Sequence, residues 1–187
     1  LAKLPGPEVT AQLLGVLADK RAPQRLKDTV VDLLVQRRDP ASLPVLTAQL
    51  AARTDFIAQT EPDALAAVAK TIAGLAGLPL DGKHVAAALA ALQAHLDAPT
   101  TSTAELTQVI AAMSAIGGGA ERLTLGSHLL LYHAEDDLGG DPAWQKAIVI
   151  ALALKGGPGE RELLRYVAAD PRTKAGLATT IRDTLGN

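Results

Sequence analysis

Gly117 to Leu125 reads GGGAERLTL, and Gly156 to Leu164 reads GGPGERELL. A glycine cluster and a Glu-Arg pair thus return after 39 residues. Each cluster follows one apolar stretch of helical period and precedes another, so the interval predicts a repeated pair of helices joined by a tight turn.

The same period extends in both directions from these two stretches. Leu65, Val68, Ile72 and Leu75 fall at steps of three, four and three, and Leu106, Val109, Met113 and Ile116 repeat that rhythm 41 residues later. A further 39 residues carries Val109 to Ile148 and Met113 to Leu152, and a shift of 42 brings Leu26, Val30 and Leu33 onto Val68, Ile72 and Leu75. Each stripe ends in a breaker: RRDP at 37–40, GLPLDG at 77–82, GGGA at 117–120 and KGGPG at 155–159. Second helices are predicted over 41–53, 82–97, 120–133 and 159–169. The glycines are expected to supply positive φ in the turns, and Glu121 and Glu160 to sit in a first helical turn, where the dipole favours a carboxylate. Asp39, Asp141 and Asp170, each before a proline, read as N-caps; Ser102 and Glu105 have capping-box spacing. The resulting units are 23–53, 61–97, 102–133 and 141–169, with half-repeats at 7–19 and 171–185, forming one domain over 1–187. No run alternates in the manner of a strand.

The bulk composition agrees with thin helical layers. Only 2% of residues are aromatic while 48% are hydrophobic, so the core must be Ala, Leu, Val and Ile. Residues 41–140 hold four Lys or Arg against ten Asp or Glu, and each flank holds seven against five. An acidic middle is the wrong polarity for a nucleic-acid groove. Without cysteine there is neither a disulfide framework nor a thiolate metal site, and the redox compartment stays open. The longest apolar run, Ala147 to Leu154, is far short of the roughly 18 residues that span a bilayer, which excludes membrane insertion by this segment. A chain that begins at Leu1 is expected to be a processed or excised piece.

Arg25 to Leu50, RLKDTVVDLLVQRRDPASLPVLTAQL, resembles a HEAT repeat of the short bacterial type, including the Asp-Pro turn and Pro44 in the first turn of the second helix. The likeness extends over nearly the whole chain, although glycine-rich turns replace Asp-Pro at 117 and 156, and Phe56 and Asp136 fall in long connections. The resemblance implies an all-α fold, a right-handed α-solenoid of about four HEAT-like helix pairs with half-repeats at both ends. It further implies that a protein or peptide partner binds the face lined by the second helices. HEAT-like families also include bilin lyases and alkylpurine DNA glycosylases, but the residues here carry no positive sign of either chemistry.

Catalytic and metal-ligating patterns are missing from the sequence. His84 and His95 stand eleven residues apart, roughly 16 Å along a helix, and cannot share an ion. His128 and His133 project about 140° apart. His133 with Glu135, Asp136 and Asp137 could hold a cation in a loop, although a solvated acidic connection is the simpler reading. There is no G-x-S-x-G elbow and no P-loop, and Glu121 would repel an anion at the Gly117–Gly119 turn. No cofactor, metal or catalytic residue is expected. Trp144, in register with Ile148, reads as a core anchor.

Projection of the second helices instead gives an uncharged outward strip. Leu43, Leu46 and Leu50 point inward, leaving Val45, Ala48 and Ala52 outside; Val85, Leu89, Leu92 and Leu96 point inward, leaving Lys83, Ala87, Ala90 and Ala94. Leu125, Leu129 and Tyr132 are buried, while Leu123 and Leu130 lie on the other side. The expected partner-binding residues are therefore Gln49, Arg53, Lys83, His84, His95, Leu123 and Leu130. The leading function is a non-catalytic interaction scaffold whose acidic middle favours a basic or neutral partner. The alternatives are a spacer arm of a larger protein, or a HEAT-like lyase. Exposed end helices also offer a route to homo-oligomers.

Overall fold

The protein is all-α. The computed structural model describes residues 6–19, 21–51, 64–98, 101–135 and 143–186, among which there are ten α-helices and no strand. These residues belong to two compact units, Leu1–Ile116 and Gly117–Asn187.

The first unit contains α1 (Pro7–Ala18), α2 (Gln24–Arg37), α3 (Leu43–Ala51, entered through a 3-10 turn at Pro40–Ser42), α4 (Ala64–Gly74), α5 (Gly82–Leu96) and α6 (Thr103–Ile116). Here α2 packs on α4 and α4 on α6, while α1 packs on α3 and α3 on α5. Odd helices therefore form one row and even helices another. Between the rows lie Leu13, Leu14, Leu17, Leu43, Leu46, Leu50, Leu92 and Leu96 from the odd helices and Val30, Leu34, Leu65, Val68, Ile72, Val109, Ile110 and Met113 from the even ones.

The second unit contains α7 (Gly119–Tyr132), α8 (Ala143–Lys155), α9 (Pro158–Ala169) and α10 (Ala175–Leu185). The neighbour relations repeat: α7 lies on α9, α8 on α10, and each row packs on the other. Leu125, Leu129, Ile148, Val149, Leu152, Leu164, Val167, Leu177 and Ile181 fill the space between them. Trp144 is buried, with its ring edge-on to His128 and Tyr132. It is the anchor expected from its register.

Several helix starts agree with the sequence reading. Asp39 accepts from the Ala41 amide, and Glu105 accepts from both the amide and the hydroxyl of Ser102. Others differ. Asp170 accepts from the Arg172 amide, but this closes a turn; α10 begins only at Ala175, four residues beyond Pro171. Asp141 and Pro142 lie outside the described residues.

The glycine clusters also work differently from the expectation. Gly77 has φ +80°, as a left-handed turn position should. Gly118 and Gly157, however, are extended, with φ of −115° and −90°. Clearance is what demands glycine at 156: a Cβ there would run into the Leu152 carbonyl oxygen and stand 2.6 Å from Glu160 Cβ. Conversely, α2 ends on a left-handed Arg38 (φ 44°), whose guanidinium donates to the Ala76 carbonyl.

The face of α2 is rotated from its predicted position. Leu26 is 46% exposed, and the buried stripe is Lys27, Val30 and Leu34, continued by the Arg37 side chain. Those positions keep the three, four, three spacing, but two of them carry charge. Arg37 is satisfied there by the Gly6 carbonyl, Asp39 and Thr10, so the fold tolerates a cation where the α4 stripe ends in Leu75.

Glycines 156 and 159 separate clearance from simple flexibility. Gly156→Ala should destabilise the protein by about 2 kcal/mol or more. Gly159→Ala, where nothing lies within 4 Å of the new methyl, should be neutral or gain about 0.5 kcal/mol. Chemical denaturation of both variants checks this pair of outcomes.

Candidate functional site

The two Glu-Arg copies, Glu121-Arg122 and Glu160-Arg161, meet in space. Glu121 Oε2 accepts from the Gly118 amide at 2.6 Å, and Glu160 Oε2 from the Gly157 amide at 2.7 Å. Each glutamate thereby caps its own helix. The other oxygen of Glu160 accepts from Arg122 Nε at 3.2 Å, so the arginine of the first copy is joined to the glutamate of the second. The two backbone N–H bonds, its own and that of Gly157, and then Arg122 hold the Glu160 carboxyl below its ordinary value.

Further along, Gly126 lies under Leu163: a Cβ would be 3.1 Å from Leu163 Cδ1, a tight contact. Beyond the end of α7, His133 Nδ1 is 2.9 Å from Thr173 Oγ1. These ties, from 122 to 160, from 126 to 163 and from 133 to 173, make α7 and α9 parallel neighbours. The Arg122–Glu160 pair is partly exposed and therefore weak. Each leucine buried between the helices contributes about 1.5–3 kcal/mol, so packing sets the alignment and the ion pair trims it.

That alignment determines what α7 leaves uncovered. One side meets α9, and another meets α8 through Leu125, Leu129 and the His128–Tyr132–Trp144 rings. Leu123 (71% exposed), Ser127, Leu130 (39% exposed) and Leu131 remain at the surface, and none is charged. A shift of 39 residues places Glu162, Tyr166 and Ala169 of α9 at the positions of Leu123, Ser127 and Leu130, and all three are exposed. The sequence reading identified Leu123 and Leu130 but overlooked Tyr166, whose helix carries charge on both sides of it.

The other expected partner-binding residues belong to the first unit or lie outside the described residues. Lys83 and His84 are exposed in the first turn of α5, and His84 Nδ1 is 3.7 Å from Asp81. Gln49 is half-buried on α3. His95 Nε2 is 3.0 Å from the Leu50 carbonyl, so this ring ties α5 to the end of α3. Arg53 lies outside the described residues. Ala87, Ala90 and Ala94 are exposed as projected, whereas Ala88 is buried and Val85 and Leu89 are only half-buried.

His133 has a different setting from the loop site considered above. It is 5% exposed and faces Thr173 and Asp170, the latter 3.8 Å from Nε2. Asp136 and Asp137 lie outside the described residues, and no group of three metal-ligating side chains occurs among the described ones. His133, Thr173 and Asp170 have the residue types of a nucleophilic triad. Thr173, however, is buried and donates its hydroxyl hydrogen to the Val167 carbonyl, which leaves its oxygen to accept from His133. This cluster closes the α9–α10 turn. Only tertiary packing brings residue 133 to 173, so no local pattern announced it.

No protein-family model, curated protein or solved structure matches the chain. No described helix is long and apolar enough to cross a membrane.

Asp170 gives this region an acid limit. Hydrogen bonds from the Arg172 guanidinium and then the Arg172 amide lower its carboxyl from 3.8 to about 2. A carboxylate depressed in the folded state stabilises fully above its unfolded value and loses that contribution as pH falls through the folded value. Stability should therefore decline between pH 4 and 2. Asp170→Asn should flatten the fall in Tm over that window, measured by calorimetry; an unchanged slope would contradict the assignment.

Proposed function

We propose that this chain is a HEAT-like α-solenoid acting as a non-catalytic scaffold, which binds a protein or peptide on the face lined by its second helices. Within each unit the alternation of odd and even rows supports the solenoid reading, since stacked helix pairs produce that neighbour pattern. The observation that carries the function is the uncharged outward face of α7. A solvated helix face normally carries charge, whereas Leu123, Leu130 and Leu131 are exposed together here. The outer side of α10, with Gly176, Thr179, Arg182 and Asp183, is polar. That favours a different protein as partner over end-to-end association of copies through α10.

Leu123 makes a clean test because its side chain already faces solvent. Immobilised parent and a Leu123→Glu, Leu130→Glu variant are exposed to native extract, and the retained proteins are identified by mass spectrometry. A specific protein held by the parent and lost by the variant, at unchanged helicity, is the expected outcome. A large loss of stability in Leu123→Glu would make it a core residue and remove the site. Retention of nothing specific would favour the spacer-arm reading.

A further inference from the structure

We infer that the α7–α9 face receives an amphipathic helix edged with lysine or arginine, an inference that rests on the scaffold reading and adds the partner's shape and charge. Shape follows from spacing. Leu123, Ser127 and Leu130 follow steps of four and three, the stripe that a second helix contacts when it lies along the first. The two leucines, about 10 Å apart along the axis, act as knobs, and Ser127 between them leaves room for a large apolar residue of the partner. Tyr166, at the position of Ser127 on the parallel helix, borders the stripe with an exposed ring.

Charge follows from which groups beside the stripe are already spent. From Leu123 to Glu135 the chain has no lysine or arginine. The two histidines there are occupied: the His128 ring lies against Tyr132 and Trp144, and His133 is buried beside Thr173. Of the nearby arginines, Arg122 is held by Glu160 and Arg172 by Asp170. Arg161 and Arg165 each stand two residues from Leu163, the residue that meets Gly126 of α7, and so project about 160° away from that contact. Two exposed carboxylates remain, Glu162 and Glu135, and neither makes a hydrogen bond or ion pair among the described residues.

These two flank the stripe at its opposite ends. Glu162 stands at the α9 position matching Leu123, one helical turn before Tyr166, so a single cation can meet its carboxylate and the tyrosine ring together. Glu135 follows the last turn of α7, where the helix dipole already presents its negative pole. A carboxylate there adds to that potential, in contrast to Glu121 and Glu160, which cap helix starts. The sign of the partner thus comes from these two residues and not from the whole-chain tally, since Asp81, Glu105 and Glu121 each spend a carboxylate oxygen on their own helix.

The probe is a fluorescein-labelled helical peptide of about 18 residues, with leucines at alternating three- and four-residue steps and lysines along both edges. A companion peptide carries glutamate at every lysine position. Fluorescence anisotropy with the full chain should show the lysine peptide binding roughly tenfold more tightly. The Glu135→Lys, Glu162→Lys variant should abolish that preference. Asp32→Lys, Asp183→Lys, which makes the same change of charge on exposed residues of α2 and α10, should keep it. Leu123→Ser should weaken the lysine peptide, and melting curves check that each variant is folded. Glu135→Gln, Glu162→Gln, which keeps side-chain size, covers a lysine variant that fails to fold and should narrow the preference in the same direction. Equal affinities, a glutamate preference, or a lysine preference that both lysine double variants reduce alike would overturn the cationic partner; weaker binding by Leu123→Ser would then still leave the scaffold standing. Binding of neither peptide, or binding indifferent to residue 123, would also overturn the inference, and the scaffold reading then rests on the extract experiment alone.

Discussion

Every helix here must bury its apolar stripe against neighbours without the bulk of aromatic side chains. With 2% aromatic residues, the space between rows is filled by leucine, isoleucine, valine and alanine, and helices must approach closely to leave no voids. Close approach explains the small residues at the contacts. Ala69, Ala88 and Ala112 are fully buried, and Gly126 lies beneath Leu163. It also explains Gly156, which has no space for a side chain between α8 and α9. Two helices at a time bury one stripe each, and the same solution recurs about every forty residues.

From this constraint follows a division of labour among polar groups. Carboxylates are concentrated where helices begin: Asp39, Asp81, Glu105, Glu121 and Glu160 all accept backbone amides. Buried polar side chains are tied to particular partners, Arg37 to Gly6, Thr10 and Asp39, and His133 to Thr173. What remains for the surface of α7 is uncharged. A helix that satisfies its polar requirements at its ends, and still presents three leucines to solvent, has a face suited to another apolar surface.

Periodicity made the helices and most of their boundaries legible, because stripes such as Leu65–Val68–Ile72–Leu75 consist of apolar residues alone. It failed at α2, where Lys27 and Arg37 hold stripe positions and Leu26 does not; two of the groups that make Arg37 tolerable, Gly6 and Thr10, lie 27 or more positions away. The glycine clusters were visible as turns, but their reason was not. Whether a glycine serves φ or clearance depends on the atoms opposite it, and only the folded turn supplies those. Leu123 and Leu130 were legible as outward residues from helical projection. Tyr166 was not, since its significance comes from α9 lying parallel to α7 in a fixed register.

Leucine-methyl NMR of the full chain, titrated with the protein retained from extract, tests most directly whether the outward face of α7 is a docking surface. The account predicts that the Leu123 and Leu130 methyl signals move together while Leu26, an exposed leucine of the first unit, stays in place. Movement of Leu26 with Leu123 and Leu130 unperturbed would contradict it.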